Sequence, residues 1–231
     1  MKVAPSLFQV APNGRTRKPR RSITIEAILD SATKLTDEGG LTSLSMPKLA
    51  DSLGCGAMTL YGHVDSKEDL LDKLSCAILQ ALELDTTAPV AWREALSNYC
   101  YAIRSLAHKH RVLPELLISR RMWSPRLADV LEWLLGNLTA GGWSIEAAIR
   151  VYRAAQTYTL GFCAYETQRL SPEHVSDYSV WWRREIAALT PEDYKHLISA
   201  APYLPLGAQD EQFKWGLNAL IRGLDATRLS T

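Results

Sequence analysis

Apolar residues return every three or four positions along most of this chain, and no stretch alternates apolar with polar for long enough to suggest a strand. The first periodic segment predicts a helix from about Thr24 to Asp37, with Ile25, Ile28, Leu29, Ala32 and Leu35 on one face and Gly39-Gly40 as its stop. Ser45 then reads as the cap of a short second helix. Pro47 sits in its first turn, where a missing N–H costs nothing, and Leu49, Ala50 and Leu53 face inward. Gly54 ends it. Ala57 to about Val64 predicts a third helix too short to stand alone, held by Leu60 and Val64. Ser66-Lys67-Glu68-Asp69 reads as a capping box with Asp in place of Glu. It opens a fourth helix whose Leu70, Leu71, Leu74, Ile78 and Leu82 extend the apolar stripe.

Asp85 to Ala91, "DTTAPVA", is the best linker. Beyond it the pattern predicts helices near Trp92–Lys109, Val112–Ser119, Ser124–Thr139, Ser144–Arg169, Val180–Leu189, Pro191–Ala200 and Ala208–Ala226. Ser124-Pro125 and Thr190-Pro191 have the form of a cap followed by a first-turn proline, and Gly141-Gly142 is a stop. Ala201 to Asp210 reads as a loop, and no internal repeat is visible. The expected fold class is therefore all-α.

With 231 residues and 47% apolar content the chain can bury a substantial core. No apolar run approaches the roughly 20 residues that span a bilayer, and no secretory signal opens the sequence, so a cytoplasmic location is expected. Cysteines at 55, 76, 100 and 163 match no zinc or thioredoxin-like spacing and are expected to be free, buried thiols. The net charge of +1 hides an asymmetry, because Met1 to Arg21 holds six Lys/Arg and no acid. That segment reads as a flexible basic arm, either solvated or, through residues such as Arg20 and Arg21, touching phosphates or the minor groove.

Two helices joined by a three-residue turn containing glycine, the second offering short polar and aromatic side chains, form the helix-turn-helix pattern of a major-groove reader. An ordinary helical corner is the alternative. In order and spacing, Ile28 to Leu74 resembles the amino-terminal domain of the tetracycline-repressor family of bacterial regulators. Leu49-Ala50, Leu53-Gly54, Thr59-Leu60-Tyr61, His63-Val64 and Lys67-Glu68-Asp69-Leu70-Leu71 carry the match. The resemblance implies that Ala57, Met58 and Thr59 begin the recognition helix and approach bases. It puts Tyr61 and His63 on the sugar-phosphate backbone and Lys67 on a phosphate. The chemistry suits those roles: hydroxyls donate to phosphate oxygens, apolar side chains meet a thymine methyl, and a lysine adds a salt-sensitive contact. Core packing, half buried with the hydroxyl exposed, is the alternative for Tyr61. On the second helix Ser45, Met46 and Lys48 are candidate DNA contacts. There the chain departs from the family, since many relatives carry an arginine or another long polar residue where this sequence has Met46-Pro47. Either Lys48 compensates, or specificity moves to the third helix and the arm.

From Trp92 onward, notably Leu138 to Gln168, the sequence resembles the tetracycline-repressor-like ligand domain. That implies a helical domain holding a small effector and pairing two late helices, here near 144–169 and 208–226, with those of a second copy. Trp215, Leu217, Leu220, Ile221 and Leu224 offer the last helix a wide apolar face for that partner. All seven tryptophans follow residue 91, as do Tyr99, Tyr101, Tyr152, Tyr158 and Tyr165, so an aromatic-lined cavity is easy to build. The family's magnesium-binding histidine aligns with Ile118, so no metal or other cofactor is expected. His108 and His110 diverge at i, i+2 and read as solvated. An organic, partly aromatic effector is expected, with Arg120, Arg121, Trp123, Tyr152, Gln156 and Glu166 as candidate contacts.

The expected organisation is an arm at 1–21, a helix-turn-helix domain at 22–84 and an effector and dimerisation domain at 85–231. No G-x-S-x-G elbow, phosphate loop or H-E-x-x-H is present, so an enzyme is not expected. The leading expectation is a homodimeric repressor released from a near-palindromic double-stranded operator by its effector. The alternative is a constitutive DNA-binding dimer without one.

Overall fold

The computed structural model describes residues 23–120, 123–169, 172–204 and 210–228, so Arg20, Arg21 and Arg121, with the whole arm at 1–21, lie outside the described residues. Eleven α-helices, plus a 3-10 turn at Leu41–Ser43, make up the regular structure of the described residues: α1 Ile25–Gly39, α2 Met46–Ser52, α3 Ala57–Leu60, α4 Lys67–Gln80, α5 Trp92–Lys109, α6 Leu113–Ser119, α7 Pro125–Ala140, α8 Ile145–Arg169, α9 Pro172–Ala187, α10 Lys195–Ala200 and α11 Asp210–Arg228. The all-α expectation holds.

The amino-terminal helices start and stop where side-chain chemistry dictates. The hydroxyl oxygens of Thr24, Ser45 and Ser66 accept from the N–H groups of Ala27, Lys48 and Asp69, which satisfies donors that helical geometry orphans. The box at Ser66 is shifted by one residue, because the Asp69 carboxylate accepts from the N–H of Asp65 at 2.9 Å rather than from that of the cap itself. Gly40, at φ +70°, closes α1 by donating to Thr36 O at 2.8 Å. Ile28, Ala32, Leu49, Leu60, Leu70 and Leu74 are fully buried, so α1 to α4 share one apolar core. A hydroxyl pair, Ser31 and Ser52 at 2.6 Å, adds a polar link between α1 and α2.

Three predicted boundaries are corrected. The third helix closes at Leu60 instead of about Val64, and Tyr61 to His63 form a turn in which His63 N donates to Leu60 O at 2.9 Å. Gly62 sits in that turn, and glycine costs roughly 1 kcal/mol against alanine inside a helix. The ninth helix starts at Pro172 rather than Val180, because proline at a first helical position sacrifices no bond. Thr190-Pro191 opens a turn, not a helix: Asp193 and Tyr194 both donate to Thr190 O, and α10 begins at Lys195.

The linker is pinned rather than loose. Val90 N donates to Asn137 Oδ1 at 2.7 Å, and Trp133 Nε1 donates to Ala88 O at 2.8 Å, so residues after α4 are stitched onto α7. In the larger carboxy-terminal layer α5 packs on α7 and α8, and α6 fits between α4 and α8. Trp92 and Trp143 meet edge to face at 5.4 Å between centroids. Helix α11 lies along α8 through Phe213, Leu217 and Ile221, all buried. The wide apolar face expected on that helix is thus divided. Leu217 and Ile221 cover the chain's own core, while Trp215 is 70% exposed. Burial of Cys100 and Cys163 follows expectation, whereas Cys55 and Cys76 are only half buried; all four are free.

Candidate nucleic-acid interface and effector core

Gly54 is the pivot of the amino-terminal site. Its φ of +63° lies in the left-handed region, and a Cβ there would meet nothing within 4 Å, so backbone freedom rather than space selects glycine. The turn is fastened by Cys55 N donating to Ala50 O at 3.0 Å and Gly54 N to Asp51 O at 3.1 Å. The chain leaves it heading outward. Leu60 and Val64 sink into the core, and the intervening side chains stay on the surface: Met58 is 82% exposed, Tyr61 46%, with Thr59 and His63 also exposed. Lys48 is exposed on α2, while Ser45, Ala57 and Lys67 are half buried. Ser45 spends its oxygen on the Lys48 N–H as a cap.

Met46 contradicts its expected role. It is a core residue, buried with Leu44, Leu49 and Ala50, because an uncharged thioether gains roughly 1.5 to 3 kcal/mol by leaving water. The exposed positions that begin α2 are Pro47 and Lys48, so Lys48 is the one cation that α2 presents to solvent.

The two layers are joined by polar contacts that the sequence reading missed. The Arg126 guanidinium, from α7, donates to Leu82 O from both Nε and Nη2 at 3.1 Å and also to Leu84 O, capturing carbonyls just beyond α4. His110 Nδ1 lies 3.0 Å from Asp37 Oδ2 on α1, and within the carboxy-terminal layer His108 Nε2 lies 3.0 Å from Glu166 Oε2 on α8. The expectation that both histidines are merely solvated is corrected, since each faces a carboxylate brought from a distant segment. Spacing along one helix could not show that.

Among the effector candidates, Glu166 is the one the structure places in a built polar cluster. Its carboxylate, 5% exposed, accepts from Arg104 Nε at 3.0 Å and Nη2 at 2.5 Å. The Glu166 bonds hold the Arg104 guanidinium above its already high ordinary pKa, against the opposing pull of burial. Tyr152 packs edge to face on Tyr99 at 5.7 Å, and burial raises the pKa of both phenols. Arg120 and Trp123 sit elsewhere, against α4. Arg120 is 3.9 Å from Asp72, and Trp123, 72% exposed, accepts at its carbonyl from Cys76 Sγ. Ile118 is exposed at the rim of a cleft of about 510 Å³ between the end of α1 and α6. The described residues contain no group of three or more His, Cys, Asp or Glu arranged to hold a metal.

Comparison with known proteins agrees with this geometry at both ends of the chain. The sequence profile of bacterial regulatory proteins of the tetR family matches residues 28–74, and that of the tetracyclin repressor-like C-terminal domain matches residues 87–228. The tetracycline repressor protein class D of Escherichia coli is 30% identical over 204 residues, covering 87% of this chain and 88% of its own. An HTH-type transcriptional repressor of Mycobacterium tuberculosis, Rv1353c, is 28% identical over 233 residues, covering 93% and 85%. Among solved structures, ActR of Streptomyces coelicolor, a TetR family protein seen in complex with actinorhodin, superposes with a TM-score of 0.77 at 26% identity, covering 89% of this chain and 96% of its own.

Proposed function

Since this chain belongs to the tetracycline-repressor family of bacterial transcriptional regulators, we propose that it acts as a homodimeric repressor that leaves a near-palindromic operator when a small organic ligand binds its C-terminal domain. As a family member it is a DNA-binding transcriptional regulator and not an enzyme. No helix among the described residues is long and apolar enough to cross a membrane. We place its action in the cytoplasm, where bacterial DNA lies.

The observation that carries the proposal is the outward face of the Gly54 turn, where Met58, Thr59, Tyr61 and His63 are exposed beside Lys48 on a packed three-helix base. A major groove admits a helix presenting such groups. Thr59 and Tyr61 would donate to phosphate oxygens, Lys67 would add a phosphate contact, and Ala57 and Met58 would meet base edges. We assign residues 1–21 to an arm that adds phosphate or minor-groove contact through Arg20 and Arg21, 22–84 to the reader, and 85–231 to the sensor and dimer domain. For the dimer, α11 offers exposed Trp215, Ala219 and Gly223 on one face, and α8 offers exposed Thr157 and Gly161. Small residues beside an exposed indole let four helices approach closely. Two reading heads held this way would meet half-sites about 34 to 36 Å apart.

The ActR complex with actinorhodin supports an organic effector, which we place in the C-terminal domain, where a partly aromatic ligand touching Tyr152, Gln156 or Glu166 fits the aromatic lining. A constitutive dimer is the second reading, favoured by how fully Tyr99, Leu96, Ile103 and Ala155 fill the space between α5 and α8. A gel shift on the DNA upstream of the gene tests the first claim: a salt-sensitive complex of dimer stoichiometry is expected, and no complex with any upstream fragment at low salt refutes it. Melting with a panel of aromatic ligands separates the two readings, because a specific ligand at 100 times its Kd adds about 2.7 kcal/mol of stability.

A further inference from the structure

Arg104 is a buried cation whose hydrogen bonds are only partly used. Its side chain is 8% exposed and is held over the rings of Phe213 and Phe162, 4.6 and 5.6 Å from their centroids, so its orientation is locked. Nε and Nη2 are spent on Glu166, and Nη2 also lies 2.8 Å from Asp210 Oδ1. Nη1, with two N–H groups, makes no hydrogen bond among the described residues. Beside it opens a cleft of about 350 Å³ lined by Tyr101, Arg104, Ser105, His108, Lys109 and Asp210.

We propose that this cleft binds the carboxylate of a small aromatic acid on the free edge of Arg104, with Asp210 acting as the chain's own competitor for the guanidinium. The proposal rests on the effector reading of the C-terminal domain and names the anion and its anchor. The carboxylate takes one bond from Nη1 and a second from Nη2, in place of Asp210, in the two-pronged geometry that guanidinium favours. The ring lies against Tyr101, and Ser105 and Lys109, the latter ion-paired with Glu83, complete the lining. The cleft volume suits a single-ring ligand. Glu166 stays where it is and keeps the buried charge compensated.

Asp210 is well placed to yield. Its side chain is 87% exposed, so it moves into water without desolvation cost, and it is the first residue of α11. Helix α11 is tied to α5 at both ends, by Asp210 on Arg104 and by Asp225 on Arg93. Ligand binding therefore releases one end of the helix that presents Trp215 while the other end remains held. Any preference of the ligand for the released state appears, by reciprocity, as an altered position of the dimer helix.

The full chain is titrated with benzoate and with benzamide, its neutral analogue, by calorimetry. Wild type should bind benzoate about tenfold more tightly than benzamide, since charge-assisted bonds are roughly twice as strong as neutral ones. Asp210→Asn, which removes the competitor and leaves the core intact, should tighten benzoate binding several-fold. Glu211→Gln makes the same charge change one residue away and should leave it unaltered. Arg104→Met combined with Glu166→Leu, which avoids an orphaned buried charge, should abolish it while circular dichroism remains helical. Equal affinity for the two probes, an Asp210→Asn affinity no tighter than wild type, or an equal gain with Glu211→Gln overturns the site. Operator binding without any benzoate binding also overturns it and leaves the regulator intact. Benzoate binding as described without operator release sustains the site and removes only the release step.

Discussion

Replacing Gly54 with alanine isolates the conformational demand of the helix-turn-helix corner. At φ +63° an L side chain crowds its own carbonyl, at a cost of about 1 to 2 kcal/mol. No packing contribution enters, because the added Cβ has nothing within 4 Å and the site faces solvent, and strain at positive φ outweighs the freedom that alanine removes from the unfolded chain. For a chain of this size each kcal/mol moves the melting temperature by roughly 2 to 4 °C, so Gly54→Ala should lower it by about 2 to 8 °C. Gly136 supplies the control. It lies exposed inside α7, a Cβ there also meets nothing within 4 Å, and its backbone is helical. Gly136→Ala should stabilise by about 0.5 to 1 kcal/mol, since glycine loses more freedom on folding than alanine. One substitution at two uncrowded sites is thus expected to act with opposite signs. Thermal melts at a single protein concentration decide it. A Gly54→Ala protein as stable as wild type, or two variants shifting in the same direction, would refute the claim that φ selects glycine here.

Two further outcomes follow from packing and from burial. Gly216→Ala puts a Cβ within 3.0 Å of Tyr158 Cε2 and Cζ and nearer still to Oη, whose hydroxyl donates to Phe213 O at 2.7 Å, so α11 must shift on α8 at a cost of about 1 to 3 kcal/mol; a denaturant midpoint unchanged from wild type would contradict this. Burial pushes the thiols of Cys100 and Cys163 up to about 12, so native protein treated with iodoacetamide at pH 8 should be alkylated at Cys55 and Cys76 alone, and label on Cys100 or Cys163 in intact-fold mass spectra would count against the buried assignment.

Much of this molecule is written locally. The caps at Thr24, Ser45, Ser66 and Ser124, the stops at Gly40 and Gly54, and the 3.6-residue apolar repeat each involve residues within a few positions of one another, so the helices and the helix-turn-helix spacing were legible before any coordinates. The exposure of Met58, Thr59 and Tyr61 follows from the same periodicity, once Leu60 is seen to be the inward residue. Met46 marks the limit of that reasoning, because a first-turn position belongs to either face until neighbouring helices choose. The start of α9 at Pro172, eight residues before the expected Val180, lies where apolar rhythm is weak and proline position carries the signal.

The polar organisation of the C-terminal half is of the other kind. Arg104 and Glu166 are 62 residues apart in sequence, His110 and Asp37 are 73 apart, and Arg126 finds Leu82 across 44 positions. The division of the last helix, with Leu217 turned inward and Trp215 left outside, likewise depends on where α8 lies. Local sequence dictates elements because propensity, capping and amphipathic period act over one or two turns. It leaves pairing open because a buried charge is stable beside whichever opposite charge the packed helices bring within 3 Å, and that choice exists only once the helices have packed.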